Sequence, residues 1–154
     1  MRTALLDVNV LIALQWPAHE HFDAAHEWFA ARRGGARWAT CPLTELAFVR
    51  IVSNPSFSPD ALAPADALSL LQRNLAHLAH EFWPDDIGLA EAVGPLVPRL
   101  QGHRQLTDVY LLGLAVKHRG ALASFDGGLR ALAGEGRAAE LELVPTSATP
   151  RGRR

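Results

Sequence analysis

Apolar residues are spaced along the chain in two alternating rhythms. Residues 3–8 (Thr-Ala-Leu-Leu-Asp-Val) form a short apolar run, the signature of a buried strand. Residues 10–16 read as a short helix stopped by Pro17. Residues 19–33 carry Phe22, Ala25 and Phe29 at helical spacing and end at Gly34-Gly35. A second strand is predicted over residues 37–40. Pro42 suits a first helical position, and the helix after it is expected to bury Leu46, Val49 and Val52. Residues 53–59, rich in Ser, Asn and Pro, mark a loop.

The second half repeats the alternation. Residues 64–80 are helical, with Leu68, Leu71, Leu75 and Leu78 in register, and a short strand is predicted over 81–84. Residues 89–101 are helical but interrupted at Gly94, Pro95 and Pro98. Residues 108–119 form an apolar helix with Thr107 as its expected cap and Gly120 as its stop. Strands are predicted over 121–125 and 140–144, with a turn at Asp126-Gly127-Gly128. There is no internal repeat. Strands alternating with helices predict an α/β fold with a mainly parallel sheet, in which ligands gather beyond the carboxyl ends of the strands.

Composition narrows the function. The 154 residues suit one domain. Residues 1–145 are assigned to it, and residues 146–154 are expected to be a polar, basic, flexible tail. Hydrophobic residues make up 49% and charged residues 20%, which excludes a disordered chain. The net charge of −1 excludes a generally basic nucleic-acid coat. Cys41 is the only cysteine, so no internal disulfide forms, and a cytoplasmic location is expected. It is expected to be a small core residue. No apolar run has the length of a membrane span, and Asp7 and Asn9 interrupt what would otherwise resemble a signal peptide.

Four acids lie in costly or directive places. Asp7 ends the first strand, where an unpaired carboxylate is expensive. Asp126 ends a later strand. Glu45 and Asp108 stand in first helical turns, and the helix behind Asp108 is apolar nearly all round. Each has a plain reading as a cap, a turn residue or an acid favoured by the helix dipole. Taken together they suit convergence at one sheet edge, where a hard divalent cation such as Mg²⁺ or Mn²⁺ would relieve their repulsion. The seven histidines form no ligand pattern, and His77 and His80 are expected at the surface.

The ordered set Asp7-Val8-Asn9, Thr44-Glu45, Thr107-Asp108 with Leu111-Leu112-Gly113-Leu114-Ala115, and Ser124-Phe125-Asp126 resembles the PIN-domain nucleases, and among them the VapC-type toxins. Ser53-Asn54-Pro55 and Trp83-Pro84-Asp85 add to the likeness, which runs from about residue 1 to 145. The resemblance implies a three-layer α/β/α sandwich with a central parallel sheet. It implies a metal-dependent endoribonuclease in which metal-activated water hydrolyses an RNA phosphodiester, leaving a 5′-phosphate and a 3′-hydroxyl. By that carry-over Asp7 and Asp108 are the main ligands of Mg²⁺ or Mn²⁺. Asp126 completes the site, Glu45 binds a second metal or orients water, and Asn9 and Ser124 support the acids.

It further implies a homodimer held inactive by a cognate antitoxin whose basic side chain enters the acidic site. Arg50, Arg104 and Lys117 flank the motifs and are candidates for holding RNA phosphates. Trp28, off the Phe22–Phe29 face, is the expected partner contact. The alternatives are a PIN nuclease acting in RNA processing or on DNA structures without an antitoxin, and an inactive binding module. A haloacid-dehalogenase-like phosphatase fits poorly, since position 9 is Asn and Lys117 is the only lysine.

Overall fold

A computed structural model describes residues 2–32 and 36–146. The predicted Gly34-Gly35 stop and residues 147–154 of the predicted tail lie outside the described residues. Within them the chain runs β1 (Ala4–Leu6), α1 (Val8–Gln15), α2 (Phe22–Ala31), β2 (Trp38–Thr40), α3 (Pro42–Val52), α4 (Pro64–Leu75) and β3 (His80–Phe82). There follow α5 (Leu89–Val93), α6 (Leu106–Lys117), β4 (Ala121–Ser124), α7 (Leu129–Arg137) and β5 (Leu141–Leu143).

The strands form one all-parallel sheet in the order β3-β2-β1-β4-β5. The register pairs Leu5 with both Ala39 and Leu122. Alternate strand residues face opposite layers, as the two-residue period requires. Ala4, Leu6, Trp38 and Ala123 pack with Val10, Phe48, Val52, Ala67 and Leu71 from α1, α3 and α4. Leu5, Ala39 and Leu122 pack with Val93, Val109, Leu112, Leu129 and Leu132 from α5, α6 and α7. The result is the expected three-layer sandwich. The chain steps outward from β1 to β2 and β3, then returns across the sheet to β4. Strand order therefore reverses at β1 and β4, and a parallel sheet opens its ligand crevice at such a reversal.

Several local expectations shift. α3 buries Thr44, Phe48 and Val52, a spacing of four, whereas Leu46 is 61% exposed. Of the expected stripe, Val52 is buried and Val49 packs partly against the core, while Leu46 is displaced because the inward face begins with the polar Thr44. Its hydroxyl accepts the Cys41 N–H (3.0 Å) and closes the first turn. α4 stops at Leu75, so Leu78 lies beyond it and is 95% exposed. α6 starts at Leu106 after a 3-10 turn (His103–Gln105), which puts Thr107 inside the helix rather than at its cap. Prolines 95 and 98 do what the sequence implied: α5 gives way to 3-10 helix over Gly94–Arg99. α7 was not anticipated.

α6 is the buried member of its layer, with six residues from Val109 to Ala115 enclosed. Gly113 allows α5 to reach it: a Cβ there would stand 2.6 Å from the Ala92 carbonyl oxygen. This close packing fixes where the first turn of α6, and hence Asp108, meets the sheet.

Candidate functional site

Asp7 follows the last residue of β1 and caps α1. Its Oδ1 accepts the Val8 N–H (2.7 Å) and its Oδ2 accepts the Ser124 hydroxyl (2.7 Å). The capping reading is thus correct, yet the carboxylate is also 5% exposed. Asn9, the second residue of α1, donates from Nδ2 to Ser124 Oγ (3.3 Å) and accepts the Phe125 N–H on Oδ1 (3.3 Å). Ser124 Oγ also accepts the Asp126 N–H (3.1 Å). Asp126 Oδ1 accepts the Gly128 N–H (2.9 Å), which shapes the turn after β4. One hydroxyl therefore ties together the ends of β1 and β4 and the start of α1.

Asp108 enters from the opposite layer, half-buried in the first turn of α6. Burial, and then the charges of Asp7 and Asp126, push its carboxyl up to about 7. Asp7 is raised as well, first by burial; the Ser124 and Val8 hydrogen bonds oppose this and Asp126 adds to it. Three carboxylates thus share one field. No Lys, Arg or His among the described residues lies within 4.0 Å of any of them.

Such a set is all oxygen, anionic and without a protein counter-charge, which is the donor chemistry of a hard divalent cation. Among the described residues no three His, Cys, Asp or Glu side chains stand close enough to form a finished coordination shell. The fit is one of donor chemistry: three carboxylates, one of them raised by burial and by the charges of the other two.

Residues 4–135 match the family model of the PIN domain. The chain belongs to the PIN-domain family. Within it, the chain is 43% identical over 127 residues to Ribonuclease VapC39 of Mycobacterium tuberculosis, covering 82% of this chain and 91% of that protein. It is 43% identical over 141 residues to Ribonuclease VapC38 of the same species, covering 92% and 97%. These likenesses place it among the VapC-type members. A solved structure described as a toxin-antitoxin complex from Klebsiella pneumoniae shares the fold, with a TM-score of 0.55 at 19% identity over 94% of this chain and 98% of that one.

The remaining predicted residues of this PIN domain fall into distinct places. Glu45 is half-buried in the first turn of α3, and its carboxyl is raised by burial and by the charge of Asp85. Asp85, not the Asp7 group, is the acid that acts on it. In the sequence Asp85 stands out only within Trp83-Pro84-Asp85, and it lies three residues beyond the end of β3. It is held there by its neighbours. The Trp83 N–H donates to the Thr40 carbonyl (2.8 Å), Trp83 stacks on His118 (centroids 4.6 Å apart), and Asp86 meets His118 Nε2 at 2.9 Å.

Arg104 sits exposed in the 3-10 turn that leads into Asp108. Arg50 is exposed in the last turn of α3. Lys117 is not brought to the site. It ends α6, nine residues and about 13 Å along the axis from Asp108, and its ammonium donates to the Asp86 carbonyl and pairs with the Asp86 carboxylate (3.7 Å).

Trp28 is also committed. Its indole N–H donates to Glu142 (2.8 Å), and the Arg32 guanidinium, itself 2.8 Å from Glu142, lies over its ring. This ties α2 to β5 and leaves the Trp28 ring half-buried. Cys41 is a core residue as expected, and burial pushes its thiol up to about 11. His77 is exposed, whereas His80 is half-buried with Nε2 on the Thr40 hydroxyl (2.7 Å).

Among the described residues no helix is long and apolar enough to cross a membrane.

Proposed function

We propose that this PIN domain is a divalent-metal-dependent endoribonuclease, the toxin of a toxin–antitoxin pair. What supports the reading is that, on top of burial, Asp126 raises the carboxyls of Asp7 and Asp108, and Asp7 that of Asp108, around the β1/β4 reversal, with no protein cation within 4.0 Å of them among the described residues. The ribonuclease relatives support RNA as the substrate. The toxin-antitoxin complex that shares the fold supports an antitoxin as partner.

Asp7 and Asp108 would hold Mg²⁺ or Mn²⁺, and Asp126 would complete the set. When bound, the cation neutralises charge on the phosphodiester and lowers the pKa of water. The protein's own part is positional. The two hydrogen bonds on Asp7 forbid rotation of its carboxylate, and Ser124 transmits the same constraint to the Asp126 turn. Asp108 rides on a buried helix and so cannot drift. Glu45, beside Asp85, would orient the attacking water. Hydrolysis in line breaks the bond from phosphorus to the 3′ oxygen. That oxygen takes a proton and the phosphate stays on the 5′ side. Arg104 and Arg50 would hold flanking phosphates. The protein would act as a cytoplasmic homodimer, silenced when a basic antitoxin side chain enters the acidic centre.

Purified protein incubated with total RNA tests this. Cleavage is expected with Mg²⁺ or Mn²⁺ and none with a chelator. Folded protein that cuts with neither metal would instead indicate a binding module.

A further inference from the structure

The corner between α1 and α2 carries two histidines with no part in the scheme above. It is a built turn: the His19 N–H donates to the Trp16 carbonyl (2.9 Å), the Phe22 N–H to His19 (3.0 Å) and the Ala25 N–H to His21 (2.9 Å). The His21 N–H donates to His19 Nδ1 (3.0 Å), which leaves the proton of a neutral His19 on Nε2. The His21 ring lies 4.8 Å from the ring of Phe125. Phe125 stands between Ser124 and Asp126, with its own N–H on Asn9. His21 therefore packs on the residue that separates Ser124 from Asp126 in the chain. Its side chain is 29% exposed, and the neighbouring Glu20 carboxylate, 3.5 Å away, is 81% exposed and free to yield.

An acidic centre repels RNA, so phosphate-binding groups must flank it. Arg104 supplies one on the Asp108 side. Lys117 is at the wrong end of α6, and Arg50 is carried by the helix of Glu45 rather than by the elements around Asp126. Against Phe125 the α1–α2 corner brings imidazoles, which offer an N–H in either protonation state.

We propose that His21, braced by His19 and Phe125, is a substrate-binding residue that holds a phosphodiester of the RNA strand beside the scissile bond. This rests on the ribonuclease reading and adds a second flank to its substrate path. The test compares His21→Phe, which keeps the packing on Phe125 and removes both ring nitrogens, with His21→Arg, which restores donors. One readout is the KM and kcat for a single-stranded oligoribonucleotide with Mn²⁺. The other is its Kd by fluorescence anisotropy in an Asp7→Asn background that does not cut.

His21→Phe is expected to raise KM and Kd about fivefold with kcat and melting temperature unchanged, and His21→Arg to return both toward wild type. Unchanged KM and Kd in His21→Phe would overturn the proposal. So would a loss confined to kcat, which would mean that His21 acts only by packing Phe125. If the wild type cuts RNA in either of these cases, the ribonuclease reading survives and only the role of His21 falls. A wild type that neither binds nor cuts RNA would overturn both.

Discussion

Asp7→Asn is expected to lower the cleavage rate by about 10³-fold, close to 4 kcal/mol of transition-state stabilisation. The substitution is nearly isosteric. The amide oxygen still accepts the Val8 N–H, so the cap of α1 survives. What disappears is the negative charge at the most buried of the three carboxylates. Because burial and Asp126 raise the Asp7 carboxyl, that charge is unfavourable to the fold at neutral pH. The variant is therefore expected to melt no lower than the wild type in the absence of metal. Rates on a labelled oligoribonucleotide and thermal melts of the same preparations check both halves. Lost activity with retained or increased stability marks a residue kept for chemistry. Parallel losses of both would make Asp7 a structural cap.

The largest expected effect on stability lies one turn further along the helix that carries Glu45. Phe48 is fully enclosed between α3, α4 and the sheet, among Trp38, Val52, Ala67 and Leu71. Phe48→Ala should cost about 3–5 kcal/mol in urea unfolding, from lost apolar burial plus the cavity left behind. Leu46→Ala, two residues away and exposed, should change stability by roughly 0.5 kcal/mol or less. The pair tests the phase of α3. Similar costs at the two positions would mean that the helix packs on the face its leucine and valine pattern suggested.

The displacement of Leu46 shows where sequence reading succeeds and fails in this chain. The alternation of strands and helices was legible because both faces of a parallel sheet are buried, which leaves short apolar runs such as Leu5-Leu6 and Ala121-Leu122-Ala123. Asp7 and Asp126 were legible for the same reason, as acids that end such runs. α3 misled because its inward face begins with Thr44, whose hydroxyl is used locally and whose burial no hydrophobic count rewards. α7 was missed because Gly134, at φ +56°, breaks its pattern.

Lys117 looked like a phosphate ligand because sequence shows only that it shares a helix with Asp108. Helix length then separates them, and Asp86, far away in sequence, captures the ammonium. The partnership of Glu45 with Asp85 was hidden similarly, since it depends on β3 pairing beside β2. The corner histidines formed no spacing pattern. Their relation to the site runs through Phe125, a contact between distant segments.

The three aspartates are expected to hold a divalent cation. Calorimetric titration of Mn²⁺ into the metal-free wild type at pH 6.5, in two buffers of different ionisation enthalpy, addresses it most directly. At that pH Asp108, its carboxyl pushed up to about 7, is partly protonated, and a cation that takes the carboxylate must expel that proton. Binding with net proton release is predicted, with both the binding and the release diminished in Asp108→Asn. Folded wild-type protein that takes up no Mn²⁺, or that binds it without proton release and as tightly as Asp108→Asn does, would contradict the account.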